Sequence, residues 1–124
     1  MPVNLRAVIP QDGYIEVSLQ GQADVAPHDH QLIFDAVATT CRENQCSRVL
    51  LDRTVVEGTA KDVVQQLVGE HVAKTFPRGV RIALLIPESI SLHRFEAAVA
   101  SRGNIGFLRI FRDRDQAVEW LLNN

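Results

Sequence analysis

The chain is 124 residues long, the size of one ordinary domain, so a single domain spanning residues 1–124 is expected. Hydrophobic residues at 46% and charged residues at 23% match ordinary globular usage and exclude a collagenous, low-complexity or disordered chain. A formal charge of -2 with a pI near 6.0 supplies no field for gathering phosphate backbones, so no nucleic-acid partner is expected.

Val3, Leu5, Ala7 and Ile9 alternate with other residues, Pro10-Gln11-Asp12-Gly13 supplies turn chemistry, and Tyr14, Ile15, Val17 and Leu19 resume a strand-like pattern, which predicts a β-hairpin. Gly21 to Pro27 breaks the pattern, and Pro27 suits a first helical turn. In the helix that follows, Leu32, Ile33, Ala36, Val37, Thr40 and Cys41 recur at three- and four-residue spacing as the expected buried stripe, which fades at Glu43-Asn44. Arg48-Val49-Leu50-Leu51-Asp52 reads as a central strand covered on both faces.

Thr59, with Asp62 three residues on, resembles a capping box for a second helix whose stripe is Val63, Val64, Leu67, Val68, His71 and Val72. Pro77-Arg78-Gly79 ends it, and Val80 to Ile86 forms the next strand, stopped by Pro87. Ser91 caps a shorter helix facing inward with Leu92, Phe95, Ala98 and Val99, and Gly103-Asn104 ends that one. Phe107 to Phe111 is a last strand, and Asp113 with Gln116 forms a capping pair for a helix burying Ala117, Trp120 and Leu121. The order ββαβαβαβα predicts an α/β fold with a mixed, mostly parallel sheet and an antiparallel N-terminal hairpin.

No basic region leads into an apolar stretch at Met1-Pro2-Val3-Asn4-Leu5-Arg6, so a cytoplasmic location is expected. The most apolar window, Ile82 to Ile86, lies between Arg81 and Pro87 and is far short of the ~20 residues a bilayer crossing requires, so no membrane span is expected. Cys41 and Cys46 are expected to be free structural thiols; they form neither a redox Cys-x-x-Cys nor a zinc knuckle.

Several strings resemble the STAS-like (SpoIIAA-like) family of small cytosolic α/β proteins: Phe95-Glu96-Ala97-Ala98, then Leu108-Arg109-Ile110-Phe111-Arg112-Asp113, then Asp115-Gln116-Ala117-Val118-Glu119-Trp120-Leu121. Val49-Leu50-Leu51-Asp52 and Val80-Arg81-Ile82-Ala83 also fit. The resemblance implies helices packed on a four- to five-stranded sheet, usually without metal or nucleotide cofactor and without catalysis. In the family's anti-sigma-factor antagonists, an Asp-Ser-x-Gly loop after the central strand carries a phosphorylated Ser. The corresponding stretch here, Asp52 to Ala60, contains no Ser, so a phosphoswitch requires Thr59 as the substitute. A second branch of relatives resembles lipid-transfer modules with an apolar pocket under the helices.

Asp52, Arg53, Glu57, Gly58 and Thr59 cluster at the carboxyl end of the central strand, the rim where open α/β sheets place ligands or partners. A carboxylate beside a guanidinium supports acid–base work when buried, but a solvated ion pair is the simpler reading of Asp52 and Arg53. Thr59 stands where a helix dipole would favour a phosphate, although plain capping is the commoner role. His28 and His30 are two apart, the wrong spacing for two ligands on one helical face, so no metal site is expected. His71 is expected to be a hydrogen-bonded, partly buried residue and His93 to lie near an exposed helix start. No Gly-x-Gly-x-x-Gly, P-loop or Gly-x-Ser-x-Gly motif is present, so no cofactor is expected.

Residues 1–62 carry five basic against nine acidic side chains, and residues 63–124 carry eight against six. Arg94, Arg102, Arg109, Arg112 and Arg114 would meet an anionic partner or lipid headgroup, though Asp113, Asp115 and Glu119 interleave with them to give a mixed, solvated face. The function expected first is a non-enzymatic regulatory or protein-interaction module, with a homodimer as one form of partnership. The alternatives are a carrier of a small apolar ligand or lipid, lined by Val64, Leu67, Val68, Phe76 and Phe95, and an antagonist switched at Thr59. An enzyme using Asp52 or Glu57 is the weakest reading.

Overall fold

The computed structural model describes residues 3–24, 26–76, 79–100 and 107–123. The order is β1 (Asn4–Pro10), β2 (Ile15–Gln20), α1 (Pro27–Glu43), β3 (Arg48–Asp52), α2 (Asp62–Thr75), β4 (Arg81–Leu85), α3 (His93–Ala100), β5 (Leu108–Phe111) and α4 (Arg114–Leu122). The expected order ββαβαβαβα and the mixed sheet are therefore present. The helix ends expected at Pro77-Arg78 and Gly103-Asn104 lie outside the described residues, as does Arg102.

Spatial order follows chain order, β1-β2-β3-β4-β5. β1 and β2 are antiparallel, and every later neighbour is parallel. A bulge between Leu5 and Ala7 absorbs Arg6. In the parallel part, Val17, Leu51, Leu84 and Ile110 stand in one row across the sheet. Side chains alternate between faces along a strand, so β3 sends Val49 and Leu51 into the larger core with α1, α2 and α3, and Leu50 into a smaller core with Ala117 and Leu121 of α4. Three helices thus cover one face and α4 the other.

Both long helices turn by about one residue from the expected stripe. On α1 the buried set is His30, Ile33, Phe34, Val37, Ala38 and Cys41, with Leu32 exposed. The rings of Phe34 and Phe95 stack at 5.5 Å, and Phe76 meets Phe34 edge-on at 6.4 Å, so the aromatic cluster draws position 34 inward. On α2 the buried set is Gln65, Val68, Gly69 and Val72, while Val63 and Leu67 are exposed. The cause is the close approach of α3: a Cβ built on Gly69 would lie 2.7 Å from the Phe95 carbonyl oxygen and 2.7 Å from Ala98 Cβ. That face must be small, whatever its hydropathy.

The two expected capping motifs part company. Asp113 accepts the Gln116 backbone N–H at 3.0 Å and caps α4 as expected. Thr59 does not cap α2, whose N-cap is Lys61, two residues later, with no side-chain cap bond. At α3 the Ser91 hydroxyl meets His93 Nδ1 at 3.0 Å. Trp120 is half-buried, with the Arg81 guanidinium 4.2 Å from its ring centre and Phe111 beside it. The thiols of Cys41 and Cys46 are free, and burial raises the Cys41 thiol to about 11.

Candidate functional site

The rim after β3 is organised by backbone pairing. Ala23 N–H donates to Glu57 O at 2.8 Å and Glu57 N–H to Gly21 O at 2.8 Å, forming a one-residue parallel bridge between Gln22 and Glu57 beyond the ends of β2 and β3. Val56 is buried beneath the loop, and Gly58 adopts a φ of 76°, a left-handed conformation that glycine takes without strain. Thr54, Val55, Glu57, Gly58 and Thr59 are exposed.

Asp52 and Arg53 do not form the ion pair expected of neighbours. They are consecutive at the end of a strand, and the pleat sends them to opposite faces of the sheet. Asp52 continues the Leu50 side: its Oδ2 accepts Arg114 Nη2 at 2.7 Å, and its Oδ1 accepts the Thr54 backbone N–H at 2.8 Å and the Thr54 hydroxyl at 2.6 Å. Arg114 also donates through Nη1 to Glu16, a residue only 9% exposed. These partners push the Arg114 guanidinium above its ordinary value, against the opposing effect of burial, the largest single influence on it.

Arg53 continues the Leu51 side and is 7% exposed. Its Nη2 donates to Gly58 O at 2.8 Å, while its Nη1 is buried without a hydrogen-bond partner among the described residues. Burial pulls its guanidinium down to about 10. Arg53 lines a cavity of about 60 Å³ between the sheet and the helices. Phe34, Leu84 and Phe95 form part of the apolar wall; His30 and Gln65 add polar atoms. Gln65 uses both ends of its amide, its Nε2 donating to Ala60 O at 2.9 Å and its Oε1 accepting Phe95 N–H at 3.3 Å. His30 Nε2 donates to Ala23 O at 2.9 Å, which fixes the proton on that nitrogen. Burial, then the Arg53 charge, hold His30 below its ordinary value against the raising effects of the Ala23 bond and Asp29.

Of the five residues expected to line an apolar pocket, Val68 and Phe95 border this cavity. Val64 is half-buried against the core, Leu67 faces outward, and Phe76 packs on Phe34 and Phe107. His71 lies on the α1–α2 seam, where its Nε2 meets Asp35 Oδ1 at 2.8 Å. The described arginines weighed as a surface for an anionic partner are dispersed: Arg94 stands 3.9 Å from Asp62, Arg109 lies against the Phe111 ring, and Arg112 donates to Ile90 O.

Sequence reading missed Arg114, Glu16 and Gln65 as members of this region. The signal available for Arg53 was the alternation Val49, Leu51, Arg53, which extends the buried face of the strand by one step. A five-stranded sheet with an antiparallel first pair, three helices on one face and a single closing helix on the other defines a STAS-like fold. Among solved structures, the chain is similar to an anti-sigma factor antagonist from Mycobacterium paratuberculosis, with a TM-score of 0.64 over 98% of this chain and 95% of that one. At 11% identity the likeness is one of fold. No protein-family model matches the sequence, and no curated protein does. No helix among the described residues is long and apolar enough to cross a membrane.

Proposed function

We propose that the chain is a non-enzymatic regulatory module that acts by binding a protein, through the Asp52–Thr59 loop and the outward side of α1 and α2. The observation that carries this reading is an apolar seam left outside the core. Leu32 is 53% exposed, Leu67 44% and Val63 65%. Leu32 lies one turn before Asp35 and Leu67 one turn before His71, the pair that joins the two helices, so both sit on the same side of the seam. Val63 extends it by another turn, and Val55 in the loop is also exposed. Single exposed apolar residues are ordinary, but a set on one side of a helix seam with polar pairs such as Asp35–His71 and Asp62–Arg94 beside it has the anatomy of a protein-binding face.

The non-enzymatic part is supported by the state of Asp52, which is committed to Arg114 and Thr54 rather than free to move a proton. A cavity of about 60 Å³ is well below the roughly 300–1,000 Å³ of small-molecule pockets, which favours the interaction module over a lipid carrier. A photo-crosslinking residue at position 63 or 67 tests the proposal in the protein's native cells. The expected result is one discrete protein adduct shared by both positions and missing from position 119 on α4; an adduct of twice the chain mass identifies a second copy as the partner. Absence of any adduct, or the same adducts from all three positions, overturns it.

A second reading is supported by Thr59, which is exposed two residues before Lys61, the N-cap of α2 that makes no side-chain cap bond. On this reading the module is an antagonist of the anti-sigma kind, and a phosphate on Thr59 controls partner binding by adding charge at the loop. Thr59→Glu should then change the yield of the crosslinked adduct several-fold. An unchanged yield removes the switch and leaves the interaction face standing.

A further inference from the structure

The cavity under α1 and α2 contains a charge that nothing around it answers. Arg53 is more than nine-tenths buried, one terminal nitrogen is held by the Gly58 carbonyl, and the other has no partner among the described residues. A buried guanidinium in this condition is costly unless an anion meets it. Its surroundings do not lower that cost. The α1 end of the wall supplies Ala23 and His30, and the α2 end supplies Ala60 and Gln65. Neither N-cap residue, Ala26 or Lys61, provides a side-chain acceptor, and a helix N-terminus itself carries partial positive charge. The hydrogen bonds of Gln65 and His30 Nε2 are directed to backbone groups. Positive potential therefore accumulates at one side of a cavity whose other side is apolar.

We propose that this cavity binds a short aliphatic carboxylate, its carboxylate paired with Arg53 Nη1 and its alkyl end packed against Phe34, Leu84 and Phe95. A planar guanidinium matches a carboxylate in shape as well as charge. The volume sets the length of the tail. A cavity of about 150 Å³ accepts benzene, so about 60 Å³ suits a ligand the size of acetate or propionate. Inorganic phosphate shares the charge but offers nothing to the apolar wall, which makes it the discriminating control.

The test compares wild type with Arg53→Met, an apolar replacement of similar length, in propionate or phosphate at fixed ionic strength. Wild type should show a saturable rise in Tm of a few degrees in propionate, and Arg53→Met should show none. A variant that responds as wild type does, or a wild type that responds equally to phosphate, overturns the assignment. Should Arg53→Met fail to fold, the imidazole of His30 in the wild type is a second readout by NMR. Arg53 from the loop after β3 and Asp29 on its own helix are the charges acting on it. Burial is the main cause that lowers His30 and the Arg53 charge adds to it, so pairing Arg53 with propionate removes that added part and should move the His30 midpoint upward. A melting curve and a His30 midpoint that both ignore propionate also overturn the proposal.

Discussion

Arg53 and Arg114 reach the same end of β3 from opposite faces of the sheet, and their charges are met in opposite ways. Arg114 is 45% exposed along its side chain and is held by both Glu16 and Asp52. Arg53 is buried, with a carbonyl on one terminal nitrogen and no partner among the described residues on the other. The exposed arginine fastens α4 to the sheet, a structural task that a partly solvated ion pair performs at modest gain. The buried one contributes no comparable tie, and its environment is of the kind that functional sites maintain at the expense of stability. The faces behind them differ likewise. Among the described residues, the α1–α3 face holds most of the buried apolar side chains, and the buried core of the α4 face is Leu50, Ala83, Leu85, Ala117 and Leu121.

The largest expected effect tests that inequality of the two cores. Phe34→Ala removes a ring in contact with Phe76 and Phe95 and should cost about 3–5 kcal/mol, read as a lowered urea midpoint with unchanged slope. Leu121→Ala on the α4 side should cost less. A greater loss from Leu121 would place the cooperative core on the other face.

Next comes the Arg114 clamp. Arg114→Ala leaves the nearly buried Glu16 carboxylate without its guanidinium and Asp52 with Thr54 alone. The expected loss is about 1–2 kcal/mol, at the bottom of the range for a charged hydrogen bond or a little under it, because solvent screens a half-exposed guanidinium. The single tryptophan, Trp120, sits on α4 against Arg81 and Phe111 and reports docking of that helix. In Arg114→Ala its fluorescence should change at lower urea than the far-UV circular dichroism. Coincident curves would show the two layers to be one cooperative unit.

A pH series examines the buried side. His30 is depressed in the folded state, so the unfolded chain binds more protons as pH falls below the ordinary imidazole value of about 6.5. Stability then falls as pH drops from about 6.5 toward the folded midpoint and levels below it. His30→Gln keeps a donor for the Ala23 carbonyl but does not titrate. The stability difference between wild type and variant should therefore grow in the variant's favour from pH 7.5 to pH 5.5, and a pH-independent difference would contradict the buried, neutral state of His30.

The same contrast explains what could be read in advance. β3 was legible to the residue because a central strand is a short apolar run with charged ends, Arg48 and Asp52. The turn of α1 and α2 away from their hydropathy stripes was not, because it follows from neighbours: the ring cluster draws Phe34 inward, and α3 approaches too closely at Gly69 for a larger side chain. Hydropathy assigns Gln65 and Arg53 to the surface. Their burial depends on carbonyls and an amide brought from Ala60, Phe95 and Gly58, which become neighbours only when the sheet and helices assemble. The candidate rim was identified as a position in the chain, but its division between two faces required the pleat.

The smallest effects separate the two capping motifs, which look alike in sequence. Asp113 receives the Gln116 amide at 3.0 Å, and Asp113→Ala should cost about 1 kcal/mol by removing an acceptor from a helix end. Thr59 stands outside α2 and is exposed, so Thr59→Ala should change stability by less than about 0.5 kcal/mol. Equal losses from the two substitutions would mean that Thr59 caps α2 in solution after all. Its hydroxyl would then be tied to the helix backbone, and the exposure on which the phosphate switch depends would be gone.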